Sequence, residues 1–361
     1  MAERTLLVVG ATGLIGRAAL RHFKDLAGWR VIGMSRRDPG VAGVPHLAAD
    51  LADASSLARH ADALKHVTHV LYAALYEMDD LVAGWRHEEQ MRVNDLMFRN
   101  LLDAVEAAAP GLAHVNLLQG TKAYGIHVEP MRAPAKERWP RHDHANFYWL
   151  QEDRMRARQA GKAWRHTIWR PQAVFGSAIG SPMNLVAAVG AYAALRQAAG
   201  LPCNYPGGTP IVTEATDARL VARAVAWAAD SPAAADETFN ITNGDVLIWP
   251  NLWPTVAAHF GMPEGEPEPR TLADAMPQEE DAWAAIVRRH NLRPLSLEQL
   301  VGGSWQFLDR AMRAGADAAP PSLVSTIKLR QAGFGDCIDT EDSLRFWLAD
   351  MQADGLLPPA L

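Results

Sequence analysis

The chain opens on Leu6-Leu7-Val8-Val9, an unbroken apolar run, and then turns to small residues in Gly10-Ala11-Thr12-Gly13-Leu14-Ile15-Gly16. A short apolar run bounded by glycine predicts a strand buried on both faces. From residue 17 to 26 the apolar positions recur at helical spacing, which predicts a helix. Residues 30–34, 46–49, 67–74, 114–118 and 164–169 read as strands two to six. Residues 52–64 and 91–108 read as helices between them. In the second of these, Val93, Met97, Leu101 and Val105 form one apolar stripe, and Pro110-Gly111 stops it. Strand and helix alternating in this way predict an α/β fold with a doubly wound parallel sheet.

After about residue 176 the pattern changes. Residues 177–199 are rich in small residues and read as largely helical, 237–242 as a strand and Asn243-Gly244-Asp245 as a turn. From Trp249 onwards the chain reads as helical and tryptophan-rich, and 315–321 as a mobile loop. The expected organisation is a nucleotide-binding Rossmann-type domain over 1–176, to which 210–245 returns. A smaller, mostly α-helical substrate domain is expected over 177–209 and 246–361.

Strand, glycine turn, helix is the context a dinucleotide-binding site requires. Gly10 permits the tight turn, Gly13 lets the backbone approach a pyrophosphate, and Gly16 lets helix pack close to strand. Thr12, Leu14 and Ile15 complete the turn, whose helix N-terminus offers free N–H groups to phosphate. The spacing is G-x-x-G-x-x-G, which resembles extended and atypical short-chain dehydrogenase/reductases rather than the larger dehydrogenase group. Strand two ends in Ser35-Arg36-Arg37, where an NAD enzyme usually places a carboxylate for the ribose 2′-OH. A hydroxyl and two guanidiniums suit a 2′-phosphate, so NADPH is the expected cofactor. Asp50-Leu51, after strand three, is placed to cap the adenine edge. Ligands in such sheets bind at the carboxyl ends of the strands. That rule adds Ala73 and Ala74 after strand four, Gln119 after strand five and Val174 after strand six.

Composition narrows the partners. The chain has 361 residues, 49% of them hydrophobic, and a formal net charge of −6. It carries no basic patch for nucleic acid or an anionic membrane. No apolar run is long enough for a span. Met1-Ala2-Glu3-Arg4 leads directly into strand one, leaving no room for a signal peptide. Cys203 and Cys337 make neither a disulfide framework nor a metal spacing, so a reducing cytoplasm and no metal are expected. His142 and His144 flank Asp143 in a proline- and arginine-rich stretch that reads as an exposed loop. A homodimer is left open.

Short-chain reductases carry Tyr-x-x-x-Lys on a helix, and this chain lacks it. The nearest tyrosine, Tyr148, has Glu152 four residues on, and a lysine stands elsewhere, in Gly120-Thr121-Lys122-Ala123-Tyr124. On the residues alone Tyr148 reads equally as a packed aromatic and Lys122 as a surface lysine. Asn94 reads as surface solvation or a local hydrogen bond. Taken together, the segments resemble the progesterone 5β-reductase/iridoid synthase-like (PRISE-like) family of atypical short-chain reductases. The resemblance runs from about residue 5 to 350. It is carried by the Gly-x-Lys-x-Tyr segment at 120–124 and Asn146-Phe147-Tyr148 before Glu152-Asp153. Val93-Asn94, Arg170-Pro171, Phe175-Gly176, Ser181-Pro182-Met183-Asn184 and Leu252-Trp253 follow the same order. The family often has tyrosine where Trp149 stands.

The resemblance implies NADPH-dependent reduction of an activated C=C bond in a small enone or enal. Tyr148 would stabilise the enolate oxygen and Lys122 would hold the nicotinamide ribose. Trp149, Met183 and Phe334 are the expected substrate-pocket residues. The alternatives are an extended short-chain-type carbonyl reductase or sugar-nucleotide epimerase/dehydratase, and an NADP-binding sensor without activity.

Overall fold

A computed structural model of the chain describes residues 4–312 and 320–360. Strand β1 (Arg4–Val9) shows why its apolar run is unbroken. Side chains alternate across a strand, so Leu6 and Val8 enter one core with Phe23, while Leu7 and Val9 enter another with Phe98 and Val115. Both faces are covered, and neither leaves a polar position.

β2 (Trp29–Ser35), β3 (His46–Ala48), β4 (His69–Tyr72), β5 (His114–Leu118), β6 (Arg165–Pro171) and β7 (Glu237–Ile241) join β1 in a sheet of seven strands among the described residues. Its order is β7-β6-β5-β4-β1-β2-β3. All its pairings are parallel. Strand order reverses between β1 and β4, the switch point over which ligands of such sheets bind. The sheet is the doubly wound Rossmann type that the sequence pattern predicts.

Helix α1 (Leu14–Lys24) packs on one face of the sheet. Helices α2 (Glu88–Ala108) and α3 (Phe147–Gln159) cover the other. α2 begins three residues before its apolar stripe suggests, because the His87 ring caps the Glu89 N–H and Glu88 and Glu89 favour the helix N-terminus. Residues 52–64 form two short helices, Ala54–Ala58 and Ala61–Leu64, instead of one. His60 divides them: its ring meets the Ala48 carbonyl at 2.9 Å and its backbone leaves the helical well.

Within 177–199 the helix is confined to α4 (Leu185–Ala198), capped by the Asn184 side chain on the Ala187 N–H. Helix α5 (Ala218–Asp230) joins α1 on its face of the sheet. Four longer helices of the second half, α6 (Trp249–His259), α7 (Glu280–His290), α8 (Ser304–Met312) and α9 (Thr340–Ala353), enclose a third apolar core with α4. Trp249, Trp253, Trp283, Trp305 and Trp347 sit in it, which accounts for the tryptophans of the segment from residue 249 onwards. Of the loop expected at 315–321, residues 315–319 lie outside the described residues.

Candidate active site

A cavity of about 930 Å³ runs from the glycine turn across the carboxyl ends of β1, β4, β5 and β6 and under the helical layer. Gly10, Thr12, Gly13, Leu14, Ile15, Ser35, Arg36, Arg37, Asp50, Leu51, Ala73, Ala74, Gln119, Lys122, Tyr148, Val174 and Met183 all line it. Gly16 lies behind the turn.

The three glycines have different reasons to be there. Gly10 has φ of +84°, and a Cβ on it would stand 2.6 Å from the Ala73 carbonyl carbon. A Cβ on Gly16 would stand 2.1 Å from the Gly10 oxygen. Both positions are closed by backbone. Beside Gly13 the nearest atom is 3.4 Å away, so the protein leaves that side open to the cavity. Gly13 is also the N-cap of α1, and no side chain caps the helix. Its first N–H groups lack intrahelical acceptors and stand at the cavity, an arrangement that fits a pyrophosphate.

At the end of β2 the Ser35 hydroxyl donates to the Arg37 carbonyl at 2.6 Å, and His46 Nε2 lies 3.2 Å from the same hydroxyl. This folds the turn so that Arg36 and Arg37 stand exposed at the rim. Among the described residues neither guanidinium has an ion-pair partner. The nearest acid in sequence, Asp38, is turned to the Gly40 N–H.

Lys122 lies in a single 3₁₀ turn, Thr121–Tyr124, directly after β5. It is not a surface lysine: its side chain is 12% exposed and its Nζ lies 3.3 Å from Glu77 Oε1. The ammonium also sits 4.7 Å above the Trp85 ring. Burial pulls the Lys122 pKa below its ordinary value, and the Glu77 charge resists that pull. Burial raises the Glu77 carboxyl in turn, and Lys122 opposes this.

Tyr148 is in the first turn of α3, whose N-cap is Asn146. The Asn146 carbonyl oxygen accepts from the Tyr148 N–H at 3.0 Å, and its amide donates to the Lys122 carbonyl at 3.0 Å. One side chain therefore ties the backbones of both residues together. The Tyr148 hydroxyl has no hydrogen-bond partner among the described residues, although the side chain is buried and lines the cavity. Burial raises its pKa, the Glu77 charge adds to this, and Arg170 opposes it. The phenol therefore stays protonated at neutral pH and acts as a donor.

Behind Tyr148, Arg170 on β6 donates to Gln119 at 2.9 Å, to the Tyr124 hydroxyl at 3.3 Å and to Glu152 at 3.4 Å. Gln119 donates to the Tyr148 carbonyl at 3.2 Å. Glu152, which stands where the usual lysine would, also pairs with Arg141 and Arg156. Burial alone would raise its pKa, but Arg170, Arg156 and Arg141 outweigh burial and lower it.

Two expected pocket residues lie elsewhere. Trp149 faces a separate cavity of about 110 Å³ with Tyr124 and Glu152, its ring under the guanidiniums of Arg141 and Arg170. One residue on from Tyr148 the helix has turned about 100°, which points Trp149 away. Phe334 packs on Trp227, with ring centroids 5.6 Å apart, in the apolar core that also holds Leu329. Its apolar character serves that core.

Other residues gain roles the sequence does not announce. Asn94 is fully buried, not at the surface. Its amide accepts from the Tyr76 N–H at 2.9 Å and donates to the Tyr76 carbonyl at 2.8 Å. Gln90 accepts from the Met78 N–H at 3.1 Å and donates to Glu77. α2 thus clamps the segment after β4 that carries Glu77. His142 pairs with Glu129 at 2.9 Å and stands against His144. Among the described residues no group of three or more His, Cys, Asp or Glu is placed to hold a metal, and no helix is long and apolar enough to cross a membrane.

A parallel seven-stranded sheet with a glycine turn at its switch point defines the class: a Rossmann-fold protein. The fold is shared with the Thermus thermophilus UDP-glucose 4-epimerase solved with NAD, at a TM-score of 0.65 and 20% identity over 96% of this chain and 99% of that one. The model of the PRISE-like Rossmann-fold domain matches residues 41–304, and the chain belongs to that family. It is 33% identical to the (S)-8-oxocitronellyl enol synthase of Antirrhinum majus over 82% of this chain and 80% of the relative. It is 30% identical to the 3-oxo-Δ(4,5)-steroid 5β-reductase of Arabidopsis thaliana over 99% and 94%.

Proposed function

We propose that this chain is an NADPH-dependent oxidoreductase that reduces the C=C bond of small α,β-unsaturated aldehydes or ketones. One observation carries the reading. Lys122 and Tyr148, from separate elements, line the same cavity as the glycine turn, and the Tyr148 hydroxyl has no internal partner among the described residues. When bound, NADPH supplies a hydride, which the substrate takes up at its β-carbon.

The glycine turn and the first N–H groups of α1 hold the pyrophosphate. Arg36 and Arg37 take the 2′-phosphate, for which free guanidiniums are suited. Lys122 holds the nicotinamide ribose. As the β-carbon is reduced, negative charge develops on the carbonyl oxygen of the substrate. The Tyr148 hydroxyl donates to that oxygen and stabilises the enolate. Solvent protonates the α-carbon. The name of the Arabidopsis relative specifies a 3-oxo-Δ(4,5) steroid, itself an enone, which supports the same substrate class here.

The test is NADPH consumption against small enals, cyclic enones and steroid enones, with products identified by mass and NMR. A saturated carbonyl product is expected. An allylic alcohol as the dominant product would place the chain with the carbonyl reductases instead.

A further inference from the structure

Glu77 is a buried carboxylate that no sequence pattern marks and that does not itself line the cavity. Its side chain is 3% exposed. A charge in that position is expensive unless it is paired and hydrogen-bonded, and the structure supplies both. Gln90 donates to it, and Lys122 Nζ lies 3.3 Å away. The segment carrying it is held at Tyr76 by Asn94 and at Met78 by Gln90. A segment bonded at three successive sites to one helix has little freedom to move its carboxylate. The aim of the Lys122 ammonium is therefore set from α2, through Glu77.

We propose that Glu77 is a positioning residue for Lys122: it holds the ammonium at the cavity wall, keeps it charged there, and so sets the alkaline limit of the reaction. The second half of this statement rests on the reading of Lys122 as the ribose-holding group. The surroundings show why a partner is needed. Trp85 and Phe147 face the ammonium with rings at 4.7 and 5.9 Å. From α8 the Arg310 guanidinium disfavours a second positive charge. His127 stands near enough to feel the lysine, and burial keeps its imidazole neutral. Tyr148, on α3, is neutral. The two ring faces attract the ammonium only weakly, and among these groups Glu77 alone brings an opposite charge to it. Without it, burial and Arg310 act together to pull the Lys122 pKa further below its ordinary value.

Competitive acetylation tests this on the full-length chain with no cofactor or substrate present. Only a neutral amine reacts with acetic anhydride, so labelling across about pH 7 to pH 11, read by peptide mass spectrometry, titrates each lysine. Glu77→Gln is nearly isosteric and retains an oxygen for Gln90. In it the Lys122 titration is expected to move to lower pH. Labelling on the rising limb should increase by about tenfold or more, the factor that one unit of pKa represents. Lys24, Lys65 and Lys162 serve as internal references and should not change. Glu77→Asp keeps the charge and should return most of the shift. Gln90→Ala loses the amide that orients Glu77 and should shift Lys122 the same way by less, which serves if Glu77→Gln folds poorly.

In the kinetic arm, the alkaline limb of kcat/KM for an enone should move with the labelling. Unchanged Lys122 labelling in both Glu77→Gln and Gln90→Ala overturns the proposal. So does shifted labelling with an unmoved alkaline limb in an enzyme that reduces enones. A labelling shift in a protein that reduces no enone leaves the hold of Glu77 on Lys122 standing and removes the proposed reaction.

Discussion

Tyr148 offers an O–H that burial keeps protonated and that no described residue engages. Tyr148→Phe preserves shape and removes only the donor. Turnover should fall about 10- to 1000-fold, the range for one donor to a developing oxyanion when water partly substitutes. The loss should be larger for unreactive ketones than for enals, while NADPH affinity holds. Steady-state kinetics on both substrate types decide it, and undiminished turnover on both would remove Tyr148 as the donor. Tyr124 is a poor replacement, since its hydroxyl donates to Asn240 at 2.7 Å and it lines the smaller cavity. At the other end of the cleft, Arg36→Ala should weaken NADPH binding by about 1.5–3 kcal/mol, the contribution of a hydrogen bond to a charged group. NADH binding should barely change. Titration calorimetry with both cofactors checks this, and a wild type that binds the two equally well contradicts the 2′-phosphate reading.

The element that matters most to the proposed chemistry is the start of α3. Asn146 caps the helix through its carbonyl and reaches Lys122 through its amide, so one residue couples a helix terminus to the turn after β5. Asn146→Ala removes both bonds. Loss of the cap alone should lower stability by about 0.5–2 kcal/mol in urea unfolding. Turnover should fall further than NADPH affinity, because the relative placement of Lys122 and Tyr148 loosens while the glycine turn is untouched. Asn146→Asp keeps the cap and loses the amide donor, so it should recover most of the stability and little of the turnover. Equal recovery of both would reduce Asn146 to a helix cap. In the glycine turn, by contrast, the constraint is backbone contact, and no side chain substitutes for it.

Across the whole molecule, chemistry and acid stability sit at opposite ends of the same central strands. His69 and His114 are register partners on β4 and β5, and His166 follows on β6, all near the amino ends of their strands. Burial, helped by Arg4 and Arg165, pushes His69 down to about 4. Burial, with Arg165 and the neighbouring histidines, pushes His114 down to about 3. Below an ordinary histidine pKa of 6.5 the unfolded chain takes up protons that these folded imidazoles refuse. Stability is therefore full above that pH and declines as pH falls toward the folded values. Each site contributes up to about 1.4 kcal/mol per pH unit to the slope. Urea unfolding between about pH 7 and pH 5 should show the decline, and His69→Gln should flatten it. The same slope in variant and wild type would assign the acid sensitivity elsewhere.

The sequence by itself determined which segments become strands, that they form a doubly wound parallel sheet, the glycine turn and the residue types along the cleft. Those signals are local. A doubly buried strand reads as an apolar run, and a closed glycine position reads as glycine because a Cβ there meets backbone. The motifs around Lys122 and Tyr148 were legible for the same reason, as short runs in chain order. Tertiary structure alone decided what each run faces. Glu77 lies in an irregular segment with no period and no motif, and only the clamp from α2 turns it toward Lys122. Trp149 and Phe334 have the composition of pocket residues, yet helix rotation sends one to a second cavity and core packing takes the other. Asn94 reads as a polar residue on a helix surface until the segment after β4 is laid across it. Direction and partnership depend on contacts between residues far apart in the chain, and neither periodicity nor spacing encodes those contacts.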